Sequence, residues 1–141
     1  QWFPEAARCL ALQGADIVLY PTAIGSGLGG GGDLLTGNDS VNAWRNAMCG
    51  HAACNIMPVV TSNRIGREYM TEGRKSHLNF YGNSFIADHE GQVVEQAARD
   101  QEEVLVHRFD FQKVKEYRDS WAVFRDRRPD LYGALTTLDG G

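Results

Sequence analysis

From residue 4 to residue 13 the apolar positions Ala6, Cys9 and Leu10 recur at helical spacing, with Gln13 ending a narrow stripe. Pro4 suits the first helical position, Glu5 suits the positive first turn, and Gly14 suits the exit, so this stretch predicts a helix. Ile17, Val18, Leu19 and Tyr20 follow as an unbroken apolar run, the pattern of a short strand buried on both faces. Val41, Trp44, Met48 and Ala52 then share one helical face, with Asp39 or Ser40 as the cap and Asn55 near the end. Residues 58–61 predict a second short strand, and the polar residues 66–77 predict a surface loop.

The second half changes rhythm. Residues 80–87 read as one strand, Glu90 and Gly91 as a turn, 93–96 as the returning strand and 103–109 as a third. Asp110 caps a last helix whose apolar positions include Phe111, Val114 and Tyr117. Helix, buried strand, helix, buried strand is the order of an α/β domain, and the later meander makes the expected sheet mixed. The tail of residues 118–141 carries apolar anchors (Trp121, Phe124, Leu131, Tyr132) without a clean period, and is expected to dock on a neighbour or a second subunit.

Between the first strand and the second helix, residues 26–39 hold the run Gly29, Gly30, Gly31 and Gly32. Such a run buries little apolar surface and reads as a surface insertion. It has neither a Gly-Lys-Ser/Thr ending nor the Gly-x-Gly-x-x-Gly spacing of a phosphate cradle leading into a helix.

Composition narrows the partners. The 141 residues carry a net charge of −4 and no block of Lys or Arg, so neither nucleic acid nor an anionic membrane surface is indicated. No apolar run approaches the roughly 18–20 residues of a membrane span. The opening residues Gln1, Trp2, Phe3 and Pro4 lack the basic stretch of a secretory leader, and their apolar character suggests a start inside a domain. Three cysteines without framework spacing read as reduced thiols, which fits a cytoplasmic protein.

Candidate chemistry is sparse. Cys49 and His51 suggest a nucleophile and its base, but residues two apart on a helix point in different directions. The plain reading of Cys9, Cys49 and Cys54 is small core thiols. His51, His77, His89 and His107 form no ligand pair at metal-binding spacing. Arg125, Asp126, Arg127, Arg128 and Asp130 read either as a solvated face or, with the interleaved aromatics, as a subunit contact. Taken alone, the residues describe a layered α/β domain without a complete catalytic set.

Words in the sequence add to this. The run from Gln1 to Arg8 (Gln-Trp-Phe-Pro-Glu-Ala-Ala-Arg) resembles the segment that follows the nucleophilic cysteine in the N-carbamoylputrescine amidases of the nitrilase superfamily. So do Gly14-Ala15-Asp16-Ile17, Tyr20-Pro21-Thr22-Ala23-Ile24-Gly25-Ser26, Trp44-Arg45 and Gly50-His51-Ala52. The resemblance continues through Ser62-Asn63-Arg64-Ile65-Gly66, Phe80-Tyr81-Gly82 and Ser84-Phe85-Ile86-Ala87. It ends with Ser120-Trp121 and the long, specific word from Val123 to Tyr132. Almost the whole chain is covered, apart from the Gly-rich insertion and the loop near Arg74.

The resemblance implies a nitrilase-type α-β-β-α sandwich of which residues 1–141 form the C-terminal portion. It implies homo-oligomers formed through helices and the 121–132 tail, and no cofactor. The family's Glu, Lys and Cys would all lie upstream of Gln1, the Cys three positions before it, so no catalytic residue is carried over onto this chain. The substrate implied is a small ureido or amine compound. Gln1 and Trp2, just after the nucleophile, and Thr22, Ala23 and Ile24, at a strand's end, would line its pocket, with Asn63 a further wall residue. Relatives that hydrolyse N-carbamoyl-D-amino acids place two arginines at the Gln1–Trp2 positions as a carboxylate clamp; Gln-Trp lacks that clamp, and Trp can face a cation. One departure stands out. The amidases follow Ser26 with an acidic residue suited to an amine, whereas this chain has Gly27, which leaves Asp33 or Asp39 as anions. Two other readings remain open: a non-catalytic interaction module, and a hydrolase of a different ureido, amide or nitrile substrate.

Overall fold

A computed structural model describes residues 1–27, 40–69 and 77–140. Helix α1 spans Pro4–Leu12, with the proline at its start and Gly14 leaving it at φ +94°, where a side chain would be strained. It buries Ala7 and Ala11 against helix α2, Val41–Asn55. Strands β1 (Val18–Thr22) and β3 (Val59–Asn63) lie parallel, Val18 opposite Val59 and Thr22 opposite Asn63. Helix α2 is the crossover between them. Strand β6 (Phe85–Ala87) returns antiparallel on β3, and β7 (Val93–Gln96) antiparallel on β6, giving the order β1-β3-β6-β7. The fold is therefore α/β with a mixed sheet.

The face of α2 foreseen from spacing is the one that packs: Trp44, Met48 and Ala52 are fully buried over Val18, Val59, Phe85 and Ala87. Trp44 meets the Phe85 ring edge-on, centroids 5.4 Å apart at 78°. The C-terminus of α2 needs help, because its cap residue Ile56 sits at φ +46°, costly for a β-branched side chain. Two cations secure the end. Arg118 donates to the Ile56 carbonyl from Nη2 (2.9 Å) and Nε (3.2 Å), and Arg8 Nη2 donates to the Cys54 carbonyl (2.7 Å). Both guanidiniums also lie over the Phe124 ring, at 4.9 Å for Arg8 and 5.6 Å for Arg118. Arg118 belongs to helix α3 (Phe111–Trp121), whose cap Asp110 accepts from the Gln112 and Lys113 amides as expected. Short 3-10 turns at Pro129–Leu131 and Gly133–Thr136 follow, and Trp121, Leu131 and Leu135 are exposed. Among the described residues no helix is long and apolar enough to cross a membrane.

Several expectations are corrected. The polar stretch read as a loop contains strand β4 (Arg67–Tyr69), paired with β5 (His77–Phe80), which pairs in turn with β2 (Gly25–Ser26). All three β4 residues are exposed, so no apolar signal marked it. Its cross-strand contacts are polar or aromatic: Arg67 Nε donates to Asn79 Oδ1 at 2.7 Å, and the Tyr69 and His77 rings lie 5.9 Å apart. Residues 80–87 are not one strand. Gly82 and Asn83, both at φ +53°, break the run, and its halves join different sheets. Residues 103–109 form no strand; Val104 and Val106 are exposed. β1 is not buried on both faces, since Leu19 is 63% exposed. Cys9 and Cys54 are exposed rather than in the core. Ser40, one of the two cap candidates, stands at the start of α2, but its hydroxyl bonds Tyr81 instead of capping the helix. Most of the Gly-rich insertion, with Asp33 and Asp39, lies outside the described residues.

Candidate functional site

In open α/β sheets ligands gather at the C-terminal ends of parallel strands. Here those ends are Thr22 of β1 and Asn63 of β3, opposite each other. Gln1 reaches the first of them. Its half-buried side chain accepts at Oε1 from the Thr22 hydroxyl (2.8 Å) and from the Trp44 indole Nε1 (3.1 Å). Trp2 beside it is 45% exposed. Ala23 is exposed, and Ile24 is half-buried against the core.

Asn63 ties these pieces together. Its Oδ1 accepts from the Ile24 amide (2.9 Å), and its Nδ2 donates to the carbonyls of Ile24 and Gly82, each at 3.0 Å. The Asn63 amide in turn donates to Ser84 Oγ at 2.9 Å. So Asn63 bonds the loop after β1 to the turn before β6 through the backbone. It also borders a cleft of about 480 Å³ that runs past Ser62, Arg64, Ser84, Gln101 and Glu102. Of the residues read from the sequence, the structure joins Gln1 to Thr22 and Ile24 to Asn63. Trp44, which the helical spacing marked only as core, is the one it adds to the first group.

Gly27 has a structural reason. A Cβ there would stand 2.0 Å from the His77 carbonyl oxygen, and one on Gly25 would stand 2.1 Å from that of Asn79. The close approach of β2 to β5 thus leaves no room for an acidic side chain after Ser26.

The Cys49–His51 pair has no support as a dyad. Burial pushes the Cys49 thiol up, away from the thiolate, with the Arg45 charge opposing and Asp88 reinforcing. His51 instead meets the Tyr20 hydroxyl through Nδ1 at 3.2 Å. Burial holds its imidazole below the ordinary range. The native protein therefore refuses a proton that the unfolded chain accepts. That contribution is complete above the free imidazole's pKa of about 6.5 and is lost as pH falls below it toward the native value. Wild-type protein is expected to lose more unfolding free energy between pH 7 and pH 5 than His51→Gln; parallel denaturation curves would refute it. Among the described residues no group of His, Cys, Asp and Glu could hold a metal ion.

A fixed amide, hydroxyl and indole thus meet at a parallel-strand end, the edge at which open α/β sheets place ligands. The carbon–nitrogen hydrolase family model matches residues 1–119. The chain belongs to that family, within the nitrilase superfamily. It is 53% identical to N-carbamoylputrescine amidase of Solanum tuberosum over 141 residues, 99% of this chain and 45% of that protein. It is 47% identical to citrullinase of Francisella tularensis over 136 residues, 96% of this chain and 44% of that protein. The carbon–nitrogen hydrolase of Helicobacter pylori G27 superposes with a TM-score of 0.84 at 36% identity, covering 97% of this chain and 46% of that one. The chain spans a little under half the length of these relatives.

Proposed function

We propose that this chain forms the strand-end wall of a thiol amidohydrolase that converts N-carbamoylputrescine and water to putrescine, carbon dioxide and ammonia, a step of polyamine synthesis. The observation that carries this reading is the 53% identity to an N-carbamoylputrescine amidase across 99% of the chain. The nucleophilic Cys, with Glu and Lys, lies upstream of Gln1. The thiolate attacks the ureido carbonyl, Glu moves protons, and Lys with a backbone N–H holds the oxyanion. Ammonia leaves, and water then releases the carbamate, which loses carbon dioxide. Gln1, Trp2, Thr22, Ala23, Ile24 and Asn63 line the substrate pocket. The exposed Trp121 and Leu131 support a homo-oligomer built through the helices and the 121–132 tail. Three free cysteines support a cytoplasmic setting.

The 47% identity to a citrullinase, together with the lack of room at Gly27 for the amidase's acidic residue, favours a second reading, a hydrolase of a different ureido compound such as citrulline. Ammonia release by the protein from the complete open reading frame decides between them. A kcat/KM at least tenfold higher for N-carbamoylputrescine than for citrulline supports the first reading, and the reverse order establishes the second. Absence of turnover with either leaves a hydrolase of another amide or nitrile, or the interaction module. The 141-residue chain alone is expected to release no ammonia and to aggregate through exposed apolar residues such as Leu19, Trp121 and Leu131. Turnover by that chain would overturn the upstream placement of the nucleophile.

A further inference from the structure

A buried indole settles which way the Gln1 amide points. Trp Nε1–H donates and cannot accept, so the Gln1 atom 3.1 Å from Trp44 must be the oxygen. The Thr22 hydroxyl donates to that same oxygen at 2.8 Å. Turning the amide over would set its NH2 against the indole N–H, two donors facing each other. Trp44 is fully buried and wedged against Phe85, so it does not yield to such a flip. With Oε1 doubly occupied, Gln1 Nε2 donates to nothing among the described residues, and it is the end of the amide turned away from Trp44.

We infer that Gln1 is a specificity-determining hydrogen-bond donor for an acceptor oxygen of the substrate, and that Trp44 is the residue that fixes its polarity. This rests on the reading above that Gln1 faces substrate. An ammonium group has only donors, so the Gln1 site cannot receive a substrate's amine end. It receives a neutral ureido oxygen or a carboxylate instead. N-carbamoylputrescine offers the first alone, and citrulline offers both.

The test is steady-state kinetics of the complete enzyme with both substrates for Gln1→Ala, Gln1→Glu and Trp44→Phe. Phenylalanine keeps most of the volume and ring contact of Trp44 and removes the indole N–H. Glutamate keeps an oxygen for Thr22 and Trp44 but replaces the free donor with an anionic acceptor. Trp44→Phe and Gln1→Glu are each expected to raise KM about tenfold with kcat within about threefold, the loss of one ordinary hydrogen bond to substrate. An equal rise for both substrates assigns the ureido oxygen; a rise confined to citrulline assigns the carboxylate. If Gln1→Ala raises KM while Trp44→Phe does not, the orienting role is wrong and the pocket reading stands. If Gln1→Ala leaves KM unchanged, Gln1 is outside the pocket and both fail. Should Trp44→Phe not fold, an unchanged or lowered KM in Gln1→Glu overturns the donor assignment by itself.

Discussion

Trp44→Ala is expected to lower the unfolding free energy by about 3–5 kcal/mol, the range found when a large aromatic is deleted from a packed core. Trp44 has no exposed surface and meets both Phe85 and Tyr81 ring to ring, at 5.4 and 6.4 Å. The loss belongs at the upper end of that range. Phe85 sits on β6, held by its ladders to β3 and β7, and Val59 sits on β3 between two strands. Residues anchored in a sheet move inward poorly, so the hole left by the indole stays largely open. Gln1 Oε1 also loses its buried indole donor and keeps only the Thr22 hydroxyl. Trp121→Ala gives the contrast: at 61% exposure it is expected to change monomer stability by less than about 0.5 kcal/mol. Urea denaturation of the complete protein measures both. Equal losses for the two tryptophans would mean that Trp44 is not the centre of this core.

The two roles of Trp44 show what the sequence could and could not disclose. Its place at helical spacing with Val41, Met48 and Ala52 marked it as core, because a one-sided helix writes its buried face into its period. The indole N–H leaves no such trace, since a tryptophan that packs and one that packs and donates are the same letter. Asp110 was legible for the opposite reason: capping is local, and the amides it serves are two and three residues on. Strand β4 was not, because its stability comes from pairing with β5 rather than from burial. The break in residues 80–87 falls at Gly82-Asn83-Ser84, a turn signal that the apolar residues on either side outweighed in the strand reading. Only the backbone shows that Gly82 must be glycine, its Cβ position lying 2.2 Å from the Arg99 carbonyl oxygen. The pocket-wall words pointed to Gln1, Thr22 and Asn63 as separate positions. That Thr22 holds Gln1, and that Asn63 is bonded to backbone, depends on contacts 19 to 39 residues away in sequence. No periodicity reports such contacts.

Asn63 gives the second large effect. Asn63→Ala leaves the Ile24 amide, the Ile24 carbonyl and the Gly82 carbonyl without their side-chain partner at once. The site is half-buried, so water restores part of what is lost. A total of about 2–4 kcal/mol follows from three groups, each worth about 1 kcal/mol or somewhat more. Asn63→Asp separates this clasp from simple space-filling. Aspartate has nearly the same shape and can still accept from the Ile24 amide. Its other oxygen would face two carbonyl oxygens where asparagine offers two N–H groups. If the clasp governs, Asn63→Asp is at least as destabilising as Asn63→Ala at pH 7 and recovers stability as the new carboxyl is protonated toward pH 4. If Asn63 only fills space, Asn63→Asp is the milder change at every pH. The loop from Thr22 to Ser26 hangs on this clasp, so the same variants are expected to raise KM in the complete enzyme through a displaced Thr22, even where enough protein remains folded to assay. A destabilised Asn63→Asp with unaltered KM would place that loop, and with it the wall formed by Thr22, Ala23 and Ile24, away from the substrate.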